Sequence, residues 1–157
     1  MKAIITLFYL ILHITAFAED PKVTLHLLDH TGKSKSKEKF YIDWSDTNRA
    51  IEKTKVIEGE DAKKVLQALK DNLSTSKSSN FCGHDPIYGI VAVSASGKKL
   101  TTSLCFKCVT WVKPKKRLNI KGKHGVDNPL CLVLRKHIEL PESVLTAEAN
   151  KSKQTNP

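Results

Sequence analysis

The chain has 157 residues, 40% hydrophobic and 27% charged, with 26 Lys and Arg against 16 Asp and Glu for a formal net charge of +10. That length suits one domain with a sizeable core, and the composition excludes a wholly disordered, collagen-like or polytopic membrane protein. The positive excess points to acidic partners without naming one.

Residues 1–18 carry one basic side chain, Lys2, then an apolar run through Ile4, Leu7, Leu10 and Leu12, and end on Ala16-Phe17-Ala18. A positive start, an apolar stretch and small residues two apart are the parts of a secretory signal peptide cleaved after Ala18. The run is broken by His13 and is too short for a spanning helix. Cleavage removes Lys2 and no acid, which leaves a net charge of +9. The chain is therefore expected to be exported, periplasmic or secreted, with a single α+β domain over residues 19–141 and a flexible polar tail over 142–157.

Val23, Leu25 and Leu27 alternate with polar neighbours, the period of a half-buried strand. Asp29 to Gly32 reads as a turn. Phe40, Ile42 and Trp44 resume the alternation, and Lys33, Lys35, Lys37 and Lys39 share the opposite parity, a lysine row suited to a sheet rim. A short strand is expected around Lys55–Ile57. Ala62, Val65, Leu66, Leu69 and Leu73 fall at helical spacing behind Asp61, a candidate N-cap, and predict one amphipathic helix. Ser74–Asn80 reads as a polar linker.

Tyr88–Ser94 and Leu100–Val112 are β-branched and aromatic runs joined by Ala95-Ser96-Gly97-Lys98, which predicts a hairpin. A two-residue Ser96-Gly97 turn sets Tyr88 opposite Cys105 and Asp85 opposite Cys108, bringing Cys82 and His84 near that pair. Arg117–Ile120 and Leu130–Ile138 read as further strands. The expected fold is α+β, a mostly antiparallel sheet of about four to six strands with one packed amphipathic helix.

Cys82, Cys105, Cys108 and Cys131 are the most informative side chains. Cys105-Phe106-Lys107-Cys108 is a C-x-x-C with 22 residues between it and each outer cysteine. An oxidising compartment favours disulfides, and the favoured pairing joins Cys82 to one of the central pair and Cys131 to the other. The alternatives are zinc, for which these cysteines and His84 supply enough ligands, and thiol-redox chemistry. The redox reading needs the motif at a helix start, whereas here it lies in a strand pattern that points the two sulfurs to opposite faces.

Cys82-Gly83-His84-Asp85-Pro86-Ile87-Tyr88, followed by a strand and Cys105-Phe106-Lys107-Cys108, resembles a set of uncharacterised bacterial exported proteins with a C-G-x-x-P-x-Y and C-F-x-C pattern. The likeness spans about residues 62 to 112. In that set the position after the glycine is often aromatic, whereas here it is His84, and Cys131 lies outside the shared stretch. The resemblance implies a bacterial origin and a common small fold, and no activity.

No H-E-x-x-H and no G-x-S-x-G occurs, so no catalytic residue is assigned. His84 beside Asp85 is the best acid/base candidate, against the simpler reading of a turn residue between Gly83 and Pro86. Lys113, Lys115, Lys116, Arg117, Lys121 and Lys123 form a basic run without an acid, and Lys98 and Lys99 add two at the hairpin tip. This run is the candidate site for a polyanion, an acidic protein or an anionic membrane surface. Trp111 is the only aromatic bordering it, which leaves nucleic-acid recognition without a stacking platform. The residues thus predict a small exported non-enzymatic protein with structural cysteines and a basic surface for an acidic partner.

Overall fold

The structure, a computed structural model, describes residues 20–78 and 83–146. The segment read as a signal peptide and Cys82 lie outside the described residues. Eight strands form one antiparallel sheet: β1 (Lys22–Leu28), β2 (Lys39–Ile42), β3 (Thr47–Glu58), β4 (Leu73–Lys77), β5 (Tyr88–Val93), β6 (Lys99–Cys105), β7 (Thr110–Lys113) and β8 (Lys116–Ile120). Their spatial order is β2-β3-β1-β5-β6-β7-β8-β4, with every pair antiparallel. Among the described residues, two longer helices, α1 (Gly59–Asn72) and α2 (Pro129–Arg135), complete the α+β fold.

Helix α1 runs from β3, beside one edge, to β4 at the other, so it crosses the sheet and buries Ala62, Val65 and Leu69. They pack with Val23, Leu25 and Leu27 of β1 and Tyr88, Ile90 and Ala92 of β5, side chains that alternation places on one face. The helix starts three residues earlier than expected, with Glu58 rather than Asp61 as N-cap. Asp61 instead accepts a hydrogen bond from Lys64 at 3.0 Å on the exposed face.

The opposite face is covered by the β2–β3 hairpin. Phe40 and Ile42 pack with Leu28, Ile51 and Val91, and the Phe40 ring lies over Gly89, where a Cβ would sit 2.7 Å from it. Gly89 is required by that approach. The lysine row ahead of β2 is exposed, and β2 is an edge strand. The β1–β2 loop is organised by Asp29, whose carboxylate accepts from the backbone N–H groups of Thr31, Gly32 and Ser34 at 2.8–3.1 Å. These bonds, that of Ser34 foremost, hold its pKa at about 2.

The sheet has eight strands rather than four to six, β3 spans Thr47–Glu58 rather than a short stretch around Lys55–Ile57, and three further segments differ from expectation. Leu73–Lys77, the first part of the expected linker, is strand β4: Leu73 pairs with Ile120, and the Trp111 indole N–H donates to the Ser74 carbonyl at 2.8 Å. Edge pairing to β8 overrides the turn-like composition. Residues 130–138 form no strand; Pro129–Arg135 is helix α2, capped by Asn128, whose side chain accepts from Leu130 N at 3.0 Å. With Asn at the cap and Pro in the first turn, Leu130, Cys131 and Leu134 turn inward at helical spacing. Residues 142–146 form a helical turn whose Val144 and Leu145 pack against the core, so the domain extends past Pro141.

Candidate functional site

The β5–β6 connection sets the geometry of the cysteine region. Gly97, at φ 74°, closes a three-residue loop, with Gly97 N–H donating to Ser94 O at 2.8 Å and Ser94 N–H to Lys98 O at 3.0 Å. A loop of three residues rather than two shifts the register by one. Tyr88 therefore faces Leu104, not Cys105. The second run is also not one strand. β6 ends at Cys105, residues 106–109 turn with Val109 at φ 46°, and β7 starts at Thr110. The C-x-x-C thus spans a tight turn, and the strand argument for opposed sulfurs does not apply.

Cys105, Cys108 and Cys131 are all buried. Cys105 and Cys131 are present as thiols, so the crosslink expected between Cys131 and the central pair is not formed. Burial pushes the Cys105 thiol up, against the backbone N–H groups of Cys108, Asp85 and Lys107 that favour the thiolate. A raised thiol is the reverse of what a redox nucleophile requires. Cys108 Sγ lies 3.1 Å from the carbonyl oxygen of Gly83, so residues 83–85 do run beside the turn. Among the described residues no group of three or more His, Cys, Asp or Glu side chains is arranged to hold a metal.

His84 is 7% exposed and bonded at both ring nitrogens, Nδ1 to Thr110 Oγ1 at 2.9 Å and Nε2 to Ser103 Oγ at 2.8 Å. Burial, followed by the positive charges of Arg117 and Arg49, lowers its pKa to about 4. The ring is therefore neutral at neutral pH, with one nitrogen donating and the other accepting. Asp85 does not serve it: that carboxylate accepts from Arg49 Nη2 at 2.8 Å. A serine hydroxyl on an imidazole is the first half of a nucleophile–base pair, but Ser103 is 2% exposed and a threonine stands where a carboxylate would orient the ring. The cluster ties the 83–86 segment to β6 and β7. Ser103 and Thr110 were legible only as polar interruptions of an apolar run.

The basic candidates fall into two groups. The β5–β6 loop and the β7–β8 turn lie at the same end of the sheet, which gathers Lys98, Lys99, Lys113, Lys115 and Lys116, all exposed. Lys121 and Lys123 follow β8 at the opposite end, where Lys121 Nζ donates to the Asp71 carbonyl at 2.9 Å. The eleven-residue run is therefore not one patch. The β2–β3 turn docks on the basic end: Asp43 accepts from the backbone N–H of Lys115, and Arg117 stacks 4.9 Å from the centroid of Trp44. Trp44 is 39% and Tyr41 50% exposed. Trp111, over which Lys113 Nζ lies 5.8 Å from the ring centroid, is instead buried in the helix-side core.

No family model, curated protein or solved structure matches this chain. Among the described residues no helix is long and apolar enough to cross a membrane.

Proposed function

We propose that the chain is a small exported, non-enzymatic protein whose basic end binds an anionic polymer and whose cysteines serve the fold. One observation carries the reading: two connections separate in sequence converge at one end of the sheet and place five lysines there, none ion-paired with a described residue. Clustered like charge costs self-repulsion and gains a long-range attraction for polyanions. The exposed Tyr41 and Trp44 beside it supply flat contact area. The signal-like residues 1–18 and the resemblance to bacterial exported proteins support export.

Heparin is the probe. Lys113→Glu with Lys116→Glu is expected to weaken heparin binding by about tenfold or more, and raised salt to weaken it further. Lys121→Glu with Lys123→Glu, an equal change in charge at the other end, should cost less than about twofold. Equal losses from the two pairs, or no binding at low salt, overturns the reading.

For the cysteines, Cys82 is the partner left for Cys108 once Cys105 and Cys131 are thiols, and a Cys82–Cys108 disulfide is proposed. A second reading, a zinc or thiol-redox centre, draws on the backbone N–H groups that flank Cys105 in its turn. Intact mass before and after reduction and alkylation, with metal analysis of the same native sample, separates them. One disulfide and two thiols on a chain beginning at Glu19 supports the structural role and export. Four thiols with stoichiometric zinc moves the function to the cysteines.

A further inference from the structure

Strand β3 is longer than its outer partner. β2 covers only Thr47–Ala50, and the Ile51 N–H donates to Glu38 O, so among the described residues no strand pairs with the outer side of β3 beyond Ile51. Residues 52–56 are exposed in succession, where a strand covered on one face would alternate. The direction of the free backbone groups follows from β1. The Leu28 N–H donates to Ile87 O, on the β5 side, and the Asp29 N–H to Ala50 O of β3, so Val23, Leu25 and Leu27 bond to β3. Their partners Lys53, Lys55 and Ile57 therefore bond inward, while Thr54 and Val56 aim N–H and C=O outward, where no hydrogen bond from a described residue reaches them. Lys53 and Lys55 stand opposite Leu27 and Leu25 on the α1 face; Thr54 and Val56 take the other face, with Val56 45% exposed. A shallow groove beside this edge is lined by Lys53, Thr54, Lys55, His137, Ile138 and Glu139.

We propose that the outer edge of β3 binds an extended peptide as an added strand, with acidic residues opposite Lys53 and Lys55 and β-branched residues opposite Thr54 and Val56. An added strand draws affinity from its backbone and specificity from alternate side chains. Neither lysine is ion-paired with a described residue, whereas Glu58 is held by Lys22 at 3.0 Å. Glu52 and Glu139 border the same edge, so the attraction is local to residues set directly opposite the two lysines and does not extend to a polyanion at large. A second copy of the chain fits less well. Outward residues pair only with outward residues, so two β3 edges meet antiparallel with Thr54 on Thr54, Thr54 on Val56 or Val56 on Val56. The first two set Lys53 opposite Lys55, or Lys55 opposite itself, and like charges directly opposite are destabilising. The third runs Lys53 past the end of the partner strand into α1. The edge thus opposes its own kind and matches an acidic strand. The proposal concerns a different surface from the basic end and does not depend on the polyanion reading.

The probes are the peptide acetyl-Thr-Val-Glu-Thr-Glu-Val-Thr-amide and its counterpart with lysine at both glutamates, titrated into the purified protein and followed by amide hydrogen exchange. In the free protein Thr54 and Val56 should exchange fast and Lys53 and Lys55 slowly. The acidic peptide should slow Thr54 and Val56 saturably and bind about tenfold tighter than the lysine peptide. Lys53→Glu with Lys55→Glu should reverse that preference. Val56→Pro removes one outward N–H at an edge, where proline is tolerated, and should abolish binding while Lys53 and Lys55 stay protected. Lys113→Glu with Lys116→Glu should leave the peptide affinity within about twofold, so failure here is distinguishable from failure of the basic-end reading. A larger fall in that variant would put the peptide at the basic end and overturn the proposal. Absence of added protection at Thr54 and Val56, equal affinity for the two peptides, or a preference that survives the charge reversal also overturns it, even where Val56→Pro does not fold. Protection that grows with protein concentration alone would assign the edge to a second copy and overturn the acidic partner.

Discussion

Lowering the pH from about 7.5 to about 4 should destabilise this fold through His84 specifically. In the unfolded chain the imidazole takes a proton near 6.5; in the fold, buried between β6, β7 and Trp44, it does so only near 4. Between those values the unfolded state binds more protons, so stability falls as pH falls. The contribution is intact above 6.5 and is lost in full on reaching about 4. That interval is worth about 3 kcal/mol. The assay is urea unfolding across the interval for the unmodified protein and for His84→Gln, which has no proton to take up. The difference in stability between them should narrow by up to about 1.4 kcal/mol per pH unit. His26, whose pKa is also lowered, chiefly by burial, is present in both proteins and cancels. Asp29 acts in a separate window, since its stabilisation is lost as pH falls from 3.8 through about 2. Parallel loss of stability in the two proteins, or a His84 ring that titrates near 6.5 in the folded protein, would refute a neutral buried imidazole.

Three further outcomes test the packing around that cluster. Gly89→Ala should cost about 1–3 kcal/mol in urea unfolding, because the new methyl meets the Phe40 ring at 2.7 Å, and Phe40→Leu should recover part of the loss. Asn128→Ala should cost about 2–3 kcal/mol, since it removes the α2 cap and the side-chain donors to Lys121 O and Lys123 O at 3.1 and 2.8 Å; a change below about 0.5 kcal/mol would discount the cap. Cys105, buried and with its thiol pushed up, should be alkylated about a hundredfold more slowly in the native protein than in urea. Mass spectrometry of timed quenches reads that ratio directly, and equal rates would contradict the burial.

Where hydrophobic period and burial coincide, the fold was legible. β1 alternates because one of its faces meets α1, and α1 shows a 3.6-residue stripe because its other face meets water. The period fails where apolar side chains also stand on the outer face, as Leu132 does at 45% exposure. Leu130-Cys131-Leu132-Val133-Leu134 is an apolar run compatible with strand or helix. What decides it is Asn128-Pro129, a start signal that lies outside the run. β4 carries almost no apolar signal, because its serines become strand residues only by pairing with β8, more than forty residues away and beyond the reach of any local pattern. The C-x-x-C was misplaced for a related reason. Leu100–Val112 has strand composition throughout, and the turn at its centre contains no glycine; Val109 takes a positive φ instead.

The site separates along the same line. The lysines were visible as a run, but linear proximity across β8 is not spatial proximity: a strand of five residues carries its two ends to opposite ends of a sheet. Lys116 consequently joins Lys99, distant in sequence, while Lys121 joins the end of α1. Trp44 reaches Arg117 and His84 only because the β2–β3 hairpin folds over the sheet, and that fold-over requires the bare backbone at Gly89. The same small residue therefore links packing to the proposed surface. Adding a methyl at Gly89 should loosen Trp44 from Arg117 and raise the exposure of the His84 ring. Trp fluorescence and the acid sensitivity of the Gly89→Ala variant should then change together. A Gly89→Ala protein that loses stability while keeping the His84 titration near 4 would show that the hairpin can shift without disturbing the buried imidazole, and would separate the two.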